Sequence, residues 1–223
     1  MRKPADQIVV EKIKEAILNR SLAPGTQLVE ATISASLDIS RTPIRNAFRK
    51  LEEDGYVTII PNRGAFVVRP SRKEILQASE LRIELECIAA KFALPQLTDE
   101  DVLELEKLEE RVLEVYDELD LPGHAAMNID FHLFMAKKSN NKYILEFLSK
   151  IMERIQLYIQ MYGFVDYQSR EDNRSLSEHQ LIIEAIKAKD LELLQVRIRE
   201  HLQATLEEIK KNAEGYQSID ELL

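Results

Sequence analysis

The sequence predicts a mainly α-helical protein in two parts, a small N-terminal module of three helices and a β-hairpin followed by an all-α antiparallel helical bundle. Three observations predict it. Strand-rich stretches bounded by turn residues occur only before about residue 70. After the join Pro70-Ser71-Arg72, apolar residues recur at helical spacing in six segments, near 73–94, 99–119, 124–139, 141–163, 174–188 and 190–213. The 223 residues suffice for two modest domains, divided here as 1–70 and 71–223.

Composition narrows the function classes. Hydrophobic residues make up 45% and charged residues 31%, an ordinary globular balance. No apolar run reaches the roughly 18 residues that span a membrane, and Met1-Arg2-Lys3-Pro4-Ala5-Asp6 leads into no apolar signal core. A cytoplasmic protein without a membrane partner is expected. Cys87 is the single cysteine, which excludes an intrachain disulfide and a multi-cysteine zinc ribbon; its apolar helical surroundings suit a small core residue. The net charge of −9 hides an asymmetry. Residues 1–70 hold 11 Lys/Arg against 8 Asp/Glu, or +3, and the remainder holds 19 against 31, or −12. A basic piece on an acidic bulk suits a nucleic-acid-binding module carried by something larger.

In the N-terminal part, Ile8, Val9, Ile13, Ala16 and Ile17 repeat at helical spacing until Pro24-Gly25. A short helix over Glu30–Leu37 follows, then the turn Asp38-Ile39-Ser40, with Ser40 placed as N-cap of a third helix running to about Asp54 and closed by Gly55. Pro43 is tolerated in that helix's first turn, where amides lack intrahelical partners. Tyr56–Ile60 and Ala65–Val68 are β-rich around the turn Pro61-Asn62-Arg63-Gly64. Together these elements spell a winged helix-turn-helix.

The third helix carries the chemistry. Arg41, Arg45 and Arg49 follow one another at four-residue intervals and form a cationic stripe, while Ile44, Ala47, Phe48 and Leu51 form an apolar flank. An arginine stripe alone often marks only a solvated face. Set between a turn and a Gly-tipped hairpin, this one suits a major groove, where guanidinium groups fork onto guanine acceptors or phosphates. Thr42 can reach a phosphate beside the helix N-terminus. At the wing tip, Gly64 permits close backbone approach and Arg63 offers a cation.

These residues resemble the GntR regulators nearly position for position over about 8–69. The matching pieces are Leu22-Ala23-Pro24-Gly25 through Leu28, Ser40-Arg41-Thr42-Pro43-Ile44-Arg45, Leu51-Glu52-Glu53-Asp54-Gly55-Tyr56-Val57 and Pro61-Asn62-Arg63-Gly64-Ala65. The resemblance implies double-stranded DNA as partner, contacted by Ser40, Arg41, Thr42, Arg45 and the wing around Gly64. It also implies a homodimer on a palindromic operator.

In the bundle, Thr98 with Asp101 and Ser175 with Glu178 have capping-box spacing, Asn141 and Asp190 suit N-caps, and Pro122-Gly123 breaks the chain. The acidic run Glu100–Glu118 keeps an apolar stripe of Val102, Leu105, Leu108, Val112, Val115 and Leu119, so its charges are expected on a solvated face. His132 shares its face with Asn128, Met135 and Ala136; His179 with Ile182, Ile183 and Ile186; His201 with Leu194, Ile198 and Thr205. All three should point inward. His179 and His201 lie roughly 15–17 Å from the turn near Lys189-Asp190 at about 1.5 Å per residue, so an antiparallel pair sets them side by side. A single histidine on an apolar face is usually a satisfied core residue. Three on separate helices allow a shared divalent metal, with Asn128 one turn before His132 as an oxygen donor. His124 is expected in the loop after Pro122-Gly123, on the surface. Arg82 shares its face with Ile75, Ala78, Leu85 and Ala89; it either pairs with Glu86, one turn on, or awaits an acidic ligand.

This part resembles the ligand-sensing FCD domain of the FadR branch of the same family, in its shorter, six-helix VanR-type version. The resemblance covers about residues 74–205 and rests on Leu81-Arg82 with Glu86 and Ala89-Ala90, Phe131-His132, Ser139-Asn140-Asn141, Glu178-His179 with Ala185-Ile186, and His201-Leu202. It implies a divalent metal held by an Asp or Asn and three histidines, a small carboxylate metabolite completing the coordination, and a repressor function. Zinc suits such donors best, with nickel or manganese as alternatives. Asn128 stands where such domains often have Asp. Asp130, two residues from His132, should face away from it. Two rivals remain at this point, a metal-dependent hydrolase using the three histidines and a regulator with a purely structural metal. Against the first, the chain has no H-E-x-x-H, no nucleophile motif and no Gly-rich phosphate loop.

Overall fold

The computed structural model describes residues 3–117, 121–162 and 174–213. The chain forms two compact units, one of residues 1–71 with 157–163 and one of residues 72–156 with 164–223. Residues from Leu157 at the end of the helix that begins at Lys142 group with the first unit.

The first unit runs α1 (Ala5–Leu18), β1 (Gln27–Leu28), α2 (Glu30–Leu37), α3 (Arg41–Glu53), β2 (Val57–Ile60) and β3 (Gly64–Val67). Val9, Ile13 and Ile17 recur every four residues on α1 and are buried, as are Ile44, Ala47, Phe48 and Leu51 on α3, and these two stripes pack together. Asp38 adopts a left-handed conformation (φ 52°) that ends α2 and turns the chain toward α3. Gly55 (φ 76°) does the same after α3. The three strands form an antiparallel sheet in the order β1-β3-β2. Strand β1 was not expected, because two residues, Gln27 and Leu28 opposite Phe66 and Ala65, carry no period to recognise. Ser40 takes an extended N-cap backbone but makes no side-chain capping bond. Pro43 occupies the third helical position and removes one of the two amides, those of the second and third helical residues, that such a hydroxyl can meet.

After residue 71 the described residues form six α-helices, as the periodicity indicated: α4 (Arg72–Ala93), α5 (Asp99–Asp117), α6 (Leu121–Lys138), α7 (Lys142–Tyr162), whose end from Leu157 belongs to the first unit, α8 (Arg174–Lys187) and α9 (Leu191–Ala213). Helix α4 packs on α6 and α9, α5 on α6 and α8, and α8 on α9. Ile83, Leu105, Phe134, Leu148, Ile183 and Leu194 belong to one continuous core. Cys87 is buried in it. None of these helices is long and apolar enough to cross a membrane, among the described residues.

Three of the expected caps form. Thr98 and Asp101 exchange bonds in both directions, Thr98 N–H to Asp101 Oδ2 at 2.9 Å and Asp101 N–H to Thr98 Oγ1 at 3.2 Å. Asn141 Oδ1 accepts the Tyr143 amide at 3.1 Å, and Asp190 Oδ1 the Leu193 amide at 3.0 Å. For the fourth, Ser175 with Glu178, the described part of α8 begins at Arg174, and Glu178 Oε2 meets His201 Nδ1 at 2.9 Å. Pro122-Gly123 lies within the first turn of α6 rather than before it, since a proline's fixed φ and missing N–H suit that position. The backbone of His124 is therefore helical, not looped. Within the acidic helix, Leu105, Leu108 and Val112 are buried as expected, but so is Glu109, which leaves the solvated face. Leu119 lies outside the described residues.

Replacing Asn141 or Asp190 by Ala is expected to destabilise the protein by about 1 kcal/mol each through loss of a cap. Equilibrium urea unfolding measures it, and unchanged midpoints would show that these bonds add nothing.

Candidate nucleic-acid interface and candidate metal centre

Burying Ile44, Ala47, Phe48 and Leu51 leaves the opposite face of α3 to solvent. Arg41, Arg45 and Arg49 are all exposed there, with Ser40 and Thr42 exposed at the helix start. Arg45 is not a free cation. Its Nε donates to Glu30 Oε1 at 2.8 Å, a contact from the start of α2 that the sequence reading did not include. The wing tip also has internal order. Gln27 Nε2 donates to the Arg63 carbonyl at 2.9 Å, and the Arg63 guanidinium lies 5.8 Å from the Phe66 ring centroid. Arg63 and Gly64 are exposed, and Gly64 has φ 101°, a conformation that disfavours any side chain.

In the bundle, His132, His179 and His201 are all buried, at 5%, 0% and 2% exposure. Their ring centroids lie 4.8 Å (His179 to His201), 5.1 Å (His132 to His201) and 5.3 Å (His132 to His179) apart. Each contributes one ring nitrogen to a group whose atoms lie within 4.8 Å of one another. The inner edges face each other, with the Nε2 atoms of His132 and His201 3.4 Å apart. The outer nitrogens are held by carboxylates from other helices: His132 Nδ1 is 3.0 Å from Glu86 Oε2, His179 Nδ1 3.0 Å from Glu109 Oε2, and His201 Nδ1 2.9 Å from Glu178 Oε2. Phe131 stacks on His179 at 4.0 Å. Asn128 is half-buried one turn before His132, and among the described residues no hydrogen bond joins it to the imidazoles. Asp130 pairs outward with Lys137 at 2.6 Å.

Arg82 pairs with Glu86, one of the two fates the sequence left open. Its Nε donates to Glu86 Oε1 at 2.6 Å, while its Nη2 is buried with no partner. Burial pushes the His132 imidazole down to about 4 and that of His201 to about 3, against the pull of Glu86 and Glu178 respectively. Burial works against ionisation of Glu86 too, but the charge and hydrogen bonds of His132 and Arg82 hold its carboxyl at about 2. At neutral pH His132 and His201 are therefore neutral imidazoles, the form that ligates metals.

The residues fit a metal ion. Histidine Nε2 of residue 179 is buried with no hydrogen-bond partner, a costly state for a polar atom unless something occupies the point it faces. Sequence patterning found the histidines and Arg82 but missed Glu109, Glu178 and the second role of Glu86. A signal existed. Glu109 shares its face with Leu105 and Val112, and Glu178 with Ile182 and Ala185.

A winged module with an exposed arginine ridge, joined to a bundle with a buried polar centre, has the parts of a ligand-responsive DNA-binding regulator. Comparison with known proteins identifies the family. The model of bacterial regulatory proteins of the gntR family matches residues 5–67, and that of the FCD domain matches residues 77–204. The chain is 28% identical over 212 residues to YdhC, an uncharacterized HTH-type transcriptional regulator of Bacillus subtilis, covering 90% of this chain and 92% of that one. It is 25% identical over 211 residues to the HTH-type transcriptional repressor RspR of Escherichia coli, covering 93% and 90%. Its fold is similar to that of McbR/YncC of Escherichia coli, at a TM-score of 0.69 and 22% identity over 94% of this chain and 99% of that one. A GntR regulator from a Rhodococcus species gives a TM-score of 0.71 at 26% identity, covering 95% and 99%. The chain belongs to the GntR family, as a DNA-binding transcriptional regulator with an FCD effector-binding domain. The family is one of regulators, which answers the hydrolase alternative.

The buried groups make stability pH-dependent. Unfolded imidazoles titrate near 6.5, so between that value and the folded values of about 4 and about 3 the unfolded chain binds more protons. The stability these groups hold is complete above about 6.5 and is lost as pH falls toward the folded values. Glu86 acts in the same direction lower down, from 4.5 toward about 2. Chelator-treated protein should therefore melt at progressively lower temperature from about pH 7 to about pH 5, less steeply in His201→Gln. Identical slopes in both proteins would remove His201 from the account.

Proposed function

We propose that this chain is a cytoplasmic repressor that grips a palindromic operator as a homodimer and answers to a small carboxylate bound beside a divalent metal ion. The observation that carries the sensing half is the set of three buried imidazoles with outer nitrogens engaged and inner nitrogens converging. His132, His179 and His201 would hold the ion, with Asn128 as a neutral oxygen donor. Zinc suits this donor set, with nickel or manganese as alternatives. When bound, the ion supplies Lewis acidity toward a carboxylate oxygen. Arg82 supplies the rest. Its Nε is fixed by Glu86, which aims the guanidinium, and its buried Nη2 has bonding capacity for an anion.

At the DNA, Arg41, Arg45 and Arg49 enter the major groove, Ser40 and Thr42 take phosphates at the helix start, and Arg63 with Gly64 brings the wing backbone close. Glu30 draws on Arg45 through Nε alone, leaving its two Nη groups outside that bond. Homodimerisation is supported by apolar side chains exposed along one face of α4, Leu81, Ile88 and Phe92, and at the start of α7, Tyr143 and Phe147. The polarity is supported by RspR, whose name is that of a repressor. A carboxylate that binds the operator-free state more tightly shifts the population off DNA by its difference in affinity.

Arg45→Ala should weaken operator binding by about 1–3 kcal/mol and relax specificity at one base pair, read by fluorescence anisotropy against an operator series. Unchanged affinity would take Arg45 out of the groove. For the sensing half, elemental analysis of purified protein should show about one divalent ion per chain, lost in His179→Ala. Calorimetric titration of the loaded protein with short carboxylates should give heat that Arg82→Ala abolishes. Full metal retention in the first variant, or no carboxylate binding to loaded wild-type protein, would reduce the bundle to a structural role.

A further inference from the structure

The three glutamates behind the histidines come from separate elements of the bundle. Glu86 on α4 faces His132 on α6, Glu109 on α5 faces His179 on α8, and Glu178 on α8 faces His201 on α9. Each contact joins two helices at an ordinary N–H···O hydrogen-bond distance. We propose that Glu86, Glu109 and Glu178 are positioning residues that hold all three imidazoles as Nδ1–H tautomers, turning three bare Nε2 lone pairs to one point and setting the affinity of the centre for metal. The proposal rests on the metal reading above, and extends it to residues outside the ligand set.

The geometry decides where the protons sit. A neutral imidazole carries one N–H, and an ionised carboxylate can only accept. One alternative is a bond between the two rings, because the Nε2 atoms of His132 and His201 lie 3.4 Å apart. That bond would require a proton on one Nε2, leaving a bare Nδ1 against a carboxylate oxygen at 3.0 or 2.9 Å. Two lone pairs would then meet at the shorter distance while the proton served the longer one. The proton belongs on the outer nitrogen. With it there, two Nε2 lone pairs face each other at 3.4 Å, and the third, on His179, is buried without a donor. Such an arrangement is costly when empty and complementary to a cation. The carboxylates also raise imidazole basicity through the ring, which strengthens ligation.

The roles differ in redundancy. Glu86 is shared with Arg82, so its replacement disturbs two groups. Glu109 Oε1 has no partner, so among the described residues its bond to His179 is the one side-chain interaction holding it in a buried position. Glu109 is therefore the cleanest test, with Glu178 as the second position. Glutamine at either position keeps the shape and a carbonyl acceptor while removing the charge.

The experiment has two arms on the full chain. In the first, nitrogen-15 NMR of chelator-treated wild-type protein near neutral pH reads the tautomer of each buried ring. Three Nδ1–H signatures are expected, and any one of the three as Nε2–H or as imidazolium overturns the proposal. In the second, zinc affinity is measured by competition with a chromophoric chelator. Glu109→Gln and Glu178→Gln should each bind zinc about 10–100-fold more weakly at unchanged stoichiometry, with wild-type circular dichroism. Wild-type affinity in both variants overturns the proposal while leaving the metal reading intact. Wild-type protein that takes up no divalent ion overturns the metal reading and the affinity role together, and the NMR arm then still decides whether the glutamates fix the rings. Should the variants fail to fold, the first arm stands alone as the test.

Discussion

The Nδ1 of each buried histidine lies within 3.0 Å of a glutamate oxygen on another helix, and the packing of the bundle has to respect all three contacts at once. An unpaired carboxylate cannot stay ionised in an apolar interior, and an unpaired imidazole there leaves a donor and an acceptor unserved. Pairing them across helices solves both problems but removes freedom. Sliding α5 along α8 by one turn would carry Glu109 about 5.4 Å from His179 and strand both groups. Apolar contacts among leucines and isoleucines tolerate such shifts far better than hydrogen bonds do. The glutamate–histidine contacts thus supply the register that Leu105, Ile183 and Leu194 alone would leave loose.

The same contacts explain why a polar centre can exist so deep in the bundle. Glu86 links Arg82 to His132, so a guanidinium and an imidazole are oriented by one carboxylate. Any group that engaged the unpartnered Nη2 of Arg82 would act on a side chain already coupled to a candidate ligand histidine. Communication between an anion and the histidine cluster then needs only two hydrogen bonds. The N-terminal unit works in the opposite regime. Its arginines are exposed, its ion pair between Glu30 and Arg45 is solvated, and such pairs contribute little to stability. What fixes the ridge is the apolar side of α3, where Ile44, Ala47, Phe48 and Leu51 are anchored on α1.

Much of this was legible in the residues themselves. The stripe of Val9, Ile13 and Ile17, the turn at Asp38-Ile39-Ser40, the wing glycine at 64 and the caps at Thr98, Asn141 and Asp190 are local features, set by spacing and side-chain chemistry within a few residues. Inward placement of His132, His179 and His201 followed from helical periodicity for the same reason. Ser40 shows where local rules collide, because a good cap precedes a proline that removes one of its two target amides. Strand β1 and the ion pair of Arg45 with Glu30 were hidden for a different reason. Each depends on a partner more than a dozen residues away.

By itself, then, the sequence determined the order of the helices, which faces are apolar, which arginines remain on the surface and which histidines turn inward. Only the tertiary structure decided that Glu109 leaves an acidic face to enter the core, that Glu178 meets His201 on the next helix, and that Arg82 is paired at one end and unpartnered at the other. Periodicity reports the direction a side chain leaves its own helix axis, to within a fraction of a turn. Whether a carboxylate meets water or an imidazole is set by the height and rotation of the neighbouring helix, and those are properties of the assembled bundle.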